Sequence, residues 1–235
     1  MIYVSSDWHG WPLAEIQKLL EKANFGENDF LFVLGDVIDR GEEGVELLRW
    51  LVNQPNIQML MGNHEDMMLA CDFLFQEVTD ESLDSLTADE MDLLYGWNYN
   101  GAAPTIEGLQ KLLQEDPDAF EGIVEYLREL PLYEVVEAGG RTFLLVHGGL
   151  GNFSPEKKLS EYTPYELFWT RPRLDERYFE DITVILGHTP TLLFGFDYAG
   201  KILHTDTWIC VDAGCATGMP PALLRLDDMQ EFYLR

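Results

Sequence analysis

The chain has 235 residues, 46% of them hydrophobic, and sets 42 acidic against 15 basic side chains for a formal charge of −27 at pH 7. That charge opposes binding to nucleic-acid phosphates or anionic lipid, while the length and hydrophobic content allow one domain over residues 1–235. Cys71, Cys210 and Cys215 fall in no CxxC spacing and MIYVSSDWHG has no basic then apolar leader pattern, so a cytoplasmic protein without a disulfide framework or zinc ribbon is expected.

In chain order, IYVSS reads as a first strand. Pro12–Ala23 then places Leu13, Ile16, Leu19, Leu20 and Ala23 at helical spacing, FLFVLG is a second strand, Val45–Asn53 a helix and IQMLM a third strand. This βαβαβ order predicts a parallel sheet with right-handed crossovers. From about residue 66 to 130 the strand signals vanish. The stretches MMLACDFLFQ, ADEMDLLYGW, TIEGLQKLLQ and AFEGIVEYLREL predict a helical cap inserted over the site. The cap is acidic: no Lys or Arg stands between Arg49 and Lys111, and Glu77, Asp80, Glu81, Asp84, Asp89, Glu90 and Asp92 cluster there, which reads foremost as a solvated face. From Leu132 onward LYEVVEA, RTFLLVHG, ITVILGH, KILH, WICVDAG, ALLRL and EFYLR predict a second sheet packed on the first, with helices outside.

Five strings, SDWHG, GDVIDRG, GNHED, HGG and GHTP, place histidine, aspartate or asparagine just after expected strands. Two hard divalent ions need carboxylate oxygen, imidazole nitrogen and one bridging carboxylate, all held on rigid positions. Asp7 and His9 suit one ion, Asp36 is placed to bridge, and Asn63, His147 and His188 complete the second. A lone histidine at a strand end is more often a hydrogen-bonded structural residue; five motifs in order outweigh that reading. His204 lies outside these strings and reads as structural, and Asp212 and Cys215 in VDAGC read as packing near the metals. GGLG lacks the third glycine of a nucleotide fingerprint. In the cap, Trp97 and Asn100 are the better candidates to face substrate.

The ordered set D-x-H-G, G-D-x-x-D-R-G, G-N-H-E, H-G-G and G-H-T resembles the PPP-type serine/threonine phosphoprotein phosphatase branch of the calcineurin-like metallophosphoesterases, in its bacterial and phage members. The resemblance covers roughly residues 1–66 and 142–227. It implies an α/β fold, a four-layer sandwich of two mixed sheets flanked by helices. It also implies a proton-donor role for His64 oriented by Asp39, and a phosphoryl clamp made by Arg40 and Arg171, with Arg173 as the rival to Arg171. The implied cofactors are two divalent ions, manganese first, with iron, zinc or cobalt as alternatives. The implied reaction is in-line attack on phosphorus by hydroxide formed at the metals, with no phosphoenzyme. From these features the leading expectation is a phosphomonoesterase acting on phosphoserine or phosphothreonine, and conceivably phosphotyrosine, in a phosphorylated and basic protein or peptide. The alternative is a dinucleoside polyphosphate (diadenosine tetraphosphate) hydrolase, and a third reading is an inactive partner-binding module.

Overall fold

The computed structural model describes residues 1–75 and 87–234. The first sheet begins as the sequence pattern requires: β1 (Ile2–Ser5), α1 (Leu13–Lys22), β2 (Phe30–Val33), α2 (Gly44–Leu51) and β3 (Ile57–Met59), with β1, β2 and β3 mutually parallel. The second sheet comprises β4 (Tyr133–Ala138), β5 (Arg141–Val146), β6 (Ile182–Leu186), β7 (Leu203–His204) and β8 (Trp208–Cys210) in the order β4-β5-β6-β8-β7. Its central pairs, β5 with β6 and β6 with β8, are parallel, and its edges are antiparallel. Both sheets are therefore mixed, and the α/β sandwich expected from the sequence is the observed fold.

One expectation about strand allocation changes. The last two strands, β9 (Ala222–Arg225) and β10 (Gln230–Tyr233), do not extend the second sheet. They return as a hairpin to the first, which reads β10-β9-β1-β2-β3. Without them β1 would be an open edge with its apolar residues and unpaired amides facing water. Instead β9 pairs antiparallel with β1, and Leu226 N donates to Ile2 O at 2.8 Å.

The side-chain period of two divides the core into layers. Val4, Phe32, Phe143, Leu145, Ile185 and Ile209 meet between the sheets, whereas their neighbours Tyr3, Leu31, Val33, Leu144, Val146, Val184 and Leu186 face the outer helices. Burial on both faces explains why these strands read as continuous apolar runs.

The helical insertion follows the first sheet. Its described helices are α3 (Asn63–Ala70), α4 (Ala88–Tyr99), α5 (Ala103–Glu115) and α6 (Pro117–Arg128), with a further short helix α7 (Pro164–Phe168) beyond β5. Thr87 and Glu90 form a reciprocal cap on α4, and Asp116 with Pro117 starts α6. Helix α3 packs against α4 and α6, and α5 packs against α2 and α6, which seats the insertion beside the first sheet. Of the acidic cluster, Glu77, Asp80, Glu81 and Asp84 lie outside the described residues, and Asp89 and Asp92 are exposed on α4. No helix of the described residues is long and apolar enough to cross a membrane.

Candidate metal centre

The carboxyl ends of the parallel strands of both sheets converge, so side chains far apart in sequence meet in one cleft. Asp7 and His9 follow β1, Asp36 follows β2, His147 follows β5, His188 follows β6 and Asp212 follows β8. Asn63 departs from the strand-end placement: β3 stops at Met59, and Asn63, His64 and Glu65 form the first turn of α3. The loops that leave these strands approach one another closely enough, within the first sheet at Gly35 and between the sheets at Gly187, that glycine is required. Gly35 has φ +88°, and a Cβ there would lie 2.6 Å from Gly62 Cα. A Cβ on Gly187 would overlap the Ser6 and Asp7 side chains.

The backbone at the centre is strained as well as crowded. Asp7, His9, Asp36, Asp39, Arg40 and His188 all have positive φ, between +43° and +69°. Such conformations cost roughly 1–3 kcal/mol each and persist where the surroundings over-determine them. Here the surroundings do so through hydrogen bonds: Asp7 N donates to Gly35 O at 3.0 Å and His9 N to Asp36 O at 2.9 Å. Glu65, fully buried, receives the amides of Asp36 and Val37, both at 2.9 Å, and so clamps the GDVID loop from beneath. Sequence reasoning assigned Glu65 no part, although its place in GNHE was the available signal.

Asp36 sits at the middle. Its Oδ2 faces His9 Nε2 and His64 Nε2, each at 3.8 Å, while its Oδ1 faces His147 Nε2 at 3.3 Å. Two triads of potential ligands result, His9–Asp36–His64 and Asp36–His147–His188, with the donor atoms of each within 4.8 Å of one another. Asp36 belongs to both. Asp7 lies on the His9 side, its Oδ1 3.9 Å from His9 Nε2, and its Oδ2 accepts from Ser6 Oγ and from His188 N. Asn63 Oδ1 lies 2.9 Å from His147 Nε2.

The donor set fits a pair of cations. His9 Nδ1 contacts Ile38 O at 3.1 Å and His147 Nδ1 contacts Leu34 O at 2.6 Å; a carbonyl accepts only, so both rings carry the proton on Nδ1 and can turn Nε2 inward as a ligand. His188 Nε2 is buried and has no hydrogen-bond partner among the described residues. A buried polar atom without a partner is costly, and a metal ion would satisfy it.

The electrostatics describe the same need. Burial pushes His9 down to about 3, and burial with the neighbouring His147 charge pushes His188 down to about 2. Burial opposes charge on His147 too, but the Asp36 carboxylate outweighs it and raises His147 to about 10. Asp36 is held well below the ordinary carboxylate range, burial being overcome by the His147 and His64 charges, whereas burial lifts Asp7 to about 6. Burial and the Asp7 and Asp36 charges push Asp212 far up. A cation entering between Asp36 and His147 must displace the His147 proton, which that ring holds up to about pH 10 instead of the ordinary 6.5. Loading with a divalent ion at pH 7 is therefore expected to release protons, and apparent affinity to rise by up to about tenfold per pH unit per displaced proton as pH climbs toward that value. Calorimetric titration in buffers of different ionisation enthalpy reads this directly; binding heats independent of buffer would contradict it.

His64 stands apart from His9 and His147 because its Nδ1 donates to a carboxylate, Asp39 Oδ2 at 2.6 Å, where theirs donate to backbone carbonyls. Burial opposes its charged form, but the Asp36 charge and the hydrogen bond that His64 donates to Asp39 prevail and raise its pKa. Trp97 is not at the surface of the cleft as expected. It is fully buried, and its Nε1 donates to the same Asp39 oxygen at 2.8 Å. Asn100 does line the cleft.

The cleft, about 230 Å³, is lined beyond the histidine cluster by Arg40, Asn100, Trp169, Arg171, Pro190 and Leu193. Arg171 Nη1 donates to His188 O at 2.7 Å, which aims its guanidinium beside the centre. Arg173 instead pairs with Asp175 through two bonds of 2.9 Å on the surface. Of the two rival arginines the structure thus brings Arg171 to the site. His204 is away from the cleft, 2.7 Å from Glu231. A larger open groove of about 590 Å³ between α2 and α5 has mixed lining charges and shares no residue with the histidine cluster.

Residues 1–213 match the calcineurin-like phosphoesterase family. The chain belongs to that family. Among curated relatives, a symmetrical bis(5'-nucleosyl)-tetraphosphatase of Chromobacterium violaceum is 32% identical, covering 99% of this chain and 94% of the relative. One of the same description from Actinobacillus succinogenes is 33% identical over 150 residues, 63% of this chain. That match and the similar one in Haemophilus ducreyi span less than half of the relatives' own length, 44% and 47%. Among solved structures, one described as a putative diadenosine tetraphosphatase superposes with a TM-score of 0.65 at 18% identity, covering 99% of this chain and 92% of that one. A protein serine/threonine phosphatase of Saccharomyces cerevisiae gives 0.59 at 16% identity, covering 100% and 80%. At such identities these two structures share the fold. The family fixes the protein as a phosphoester hydrolase with candidate divalent-metal ligands.

Proposed function

We propose that the protein is a metal-dependent hydrolase of dinucleoside polyphosphates, cleaving a tetraphosphate symmetrically into two nucleoside diphosphates. The observation that carries this reading over the phosphoprotein reading is the near full-length match to the Chromobacterium violaceum tetraphosphatase. The cleft chemistry is consistent with it, because Arg40, beside Asn100, and Arg171, beside His188, both line the cleft with the histidine cluster and can hold phosphoryl oxygens.

In this reading Asp7, His9 and Asp36 hold one divalent ion, and Asp36, Asn63, His147 and His188 hold the other. Bound there, the pair supplies Lewis acidity toward phosphoryl oxygen and lowers the pKa of water. The remaining work falls to the protein. Arg40 and Arg171 orient the phosphoryl group and stabilise the charge that accumulates on its oxygens in the transition state. His64 holds a proton on Nε2 for the departing oxygen, and Asp39 keeps the other ring nitrogen protonated.

The role of Arg171 yields a sharp contrast. Arg171→Lys is expected to lower kcat/KM by about 10- to 100-fold, since a lysine cannot reproduce a planar fork of donors. Arg173→Ala, which breaks only the exposed pair with Asp175, is expected to leave kcat/KM unchanged. Steady-state kinetics on both variants checks this, and equal losses would reopen the choice between the two arginines.

A second reading, hydrolysis of phosphoserine or phosphothreonine in a basic peptide, is favoured by the charge of −27, which repels a polyanionic substrate at long range. The deciding assay compares a dinucleoside tetraphosphate with phosphoserine, phosphothreonine and phosphotyrosine peptides on manganese-loaded protein and identifies the products. The proposal expects the highest kcat/KM for the tetraphosphate, with nucleoside diphosphate as the product. Faster turnover of a phosphopeptide would replace it by the second reading.

A further inference from the structure

Asp39 is held almost entirely by the insertion rather than by the sheet that carries it. Its side chain is fully buried, its φ is +69°, and its backbone N donates to Thr105 Oγ1 at 2.9 Å. The next residue, Arg40, has the same φ, and its N donates to Gly101 O at 2.9 Å. The segment 97–105 therefore grips both residues of the Asp39–Arg40 pair in a conformation that non-glycine residues avoid.

The carboxylate itself has two donors, and both go to one oxygen. His64 Nδ1 and Trp97 Nε1 lie 2.6 Å and 2.8 Å from Asp39 Oδ2, while Asp39 Oδ1 is buried and has no partner among the described residues. Nothing at Oδ1 resists rotation about the last side-chain torsion, which is soft for a carboxylate. Among the described residues, the one hydrogen bond besides that of His64 that fixes the direction of Oδ2 comes from the Trp97 indole. Trp97 is the buried residue of α4, on the helix face opposite the exposed Tyr95 and Tyr99, and from there its indole reaches Asp39.

We propose that Trp97 is a positioning residue: its indole N–H locks the Asp39 carboxylate, and through it the ring direction and proton location of His64. The proposal rests on the reading of His64 as proton donor and extends it to the insertion, which would then couple the seating of α4 to the acid of the reaction. Trp97 is not among the residues that line the cleft and acts through Asp39.

The test is a double-mutant cycle on metal-loaded full-length protein, with kcat, KM and bound metal measured for Trp97→Phe, His64→Asn and the double variant on a dinucleoside tetraphosphate. Phenylalanine keeps the ring and removes the N–H. Trp97→Phe is expected to lower kcat about tenfold, with KM and metal content near those of the parent, and to cause no further loss in the His64→Asn background. A loss of equal size in both backgrounds, or one accompanied by lost metal, would overturn the proposal and make Trp97 a packing residue. If His64→Asn itself left kcat intact, the proton-donor reading would fall, and this proposal with it; a large His64→Asn effect with an additive Trp97→Phe effect would overturn this proposal alone. Should Trp97→Phe not fold, Trp97→Leu, which also removes the N–H, is read the same way. Failure of both variants to fold would also assign Trp97 to packing.

Discussion

His64→Asn is expected to slow turnover by about 10²- to 10⁴-fold, the range for removing a positioned general acid, while the protein keeps its metal. His64 is the one histidine of the cluster whose assignment the distances leave contested. Its Nε2 lies as near to Asp36 Oδ2 as His9 Nε2 does, 3.8 Å, and it completes a potential ligand triad. The environments separate them. His9 Nδ1 rests on a neutral carbonyl, and burial holds its ring neutral, pushed down to about 3, as a ligand requires. His64 Nδ1 rests on a buried carboxylate, and Asp36 and Asp39 raise its pKa, which favours a ring that carries a proton to deliver. The size of the loss should also depend on the leaving group, because a nucleoside diphosphate departs with less need of a proton than an alkoxide does. The low end of the range is therefore expected with a dinucleoside tetraphosphate and the high end with a phosphoserine peptide. Metal analysis beside the kinetics decides the matter: metal lost together with activity would make His64 a ligand.

Asp36→Asn is expected to cost both ions, not one. The two oxygens of Asp36 face opposite halves of the centre, Oδ2 toward His9 and His64 and Oδ1 toward His147. An amide has one oxygen to offer and no charge, so it cannot serve both sides. Apparent affinity should fall by well over 100-fold, beyond the roughly 10- to 100-fold typical when only a supporting hydrogen bond is lost. The chain should remain folded, because His147 is raised to about 10 chiefly by the Asp36 charge and can shed its proton once that charge is gone. Elemental analysis after dialysis, with thermal unfolding recorded alongside, tests this. Retention of two tightly bound ions would refute the bridging role.

The centre was legible in the sequence because its residues are local signals with a shared structural cause. Each of Asp7, Asp36, His147 and His188 follows an apolar strand, and glycine marks the sharp exits, as at Gly35 and Gly187. Parallel strands then bring those ends to one edge, so a linear pattern becomes a cluster. Features that depend on contacts between distant segments were not legible. Nothing in ALLRL or EFYLR reveals that β9 and β10 return to β1. Trp97 looked like a cap residue able to face substrate, and only packing shows its indole turned inward onto Asp39, 58 positions away in sequence. The grip of Thr105 on the Asp39 amide has no sequence signature. The substrate was the least legible feature. The acidic segment weighed toward phosphoprotein, yet part of it lies outside the described residues, and of its described members Asp89 and Asp92 are solvated on α4 while Glu90 caps that helix. The tetraphosphatase relatives shift the reading to the alternative.

The central claim is a pair of ions joined by Asp36, and anomalous scattering from manganese-soaked crystals tests it most directly. The account predicts two peaks roughly 3.5–4 Å apart, one bounded by Asp7 and His9, the other by Asn63, His147 and His188, with Asp36 between them and His64 Nε2 coordinating neither. A single peak, or two peaks of which one is ligated by His64, would contradict it.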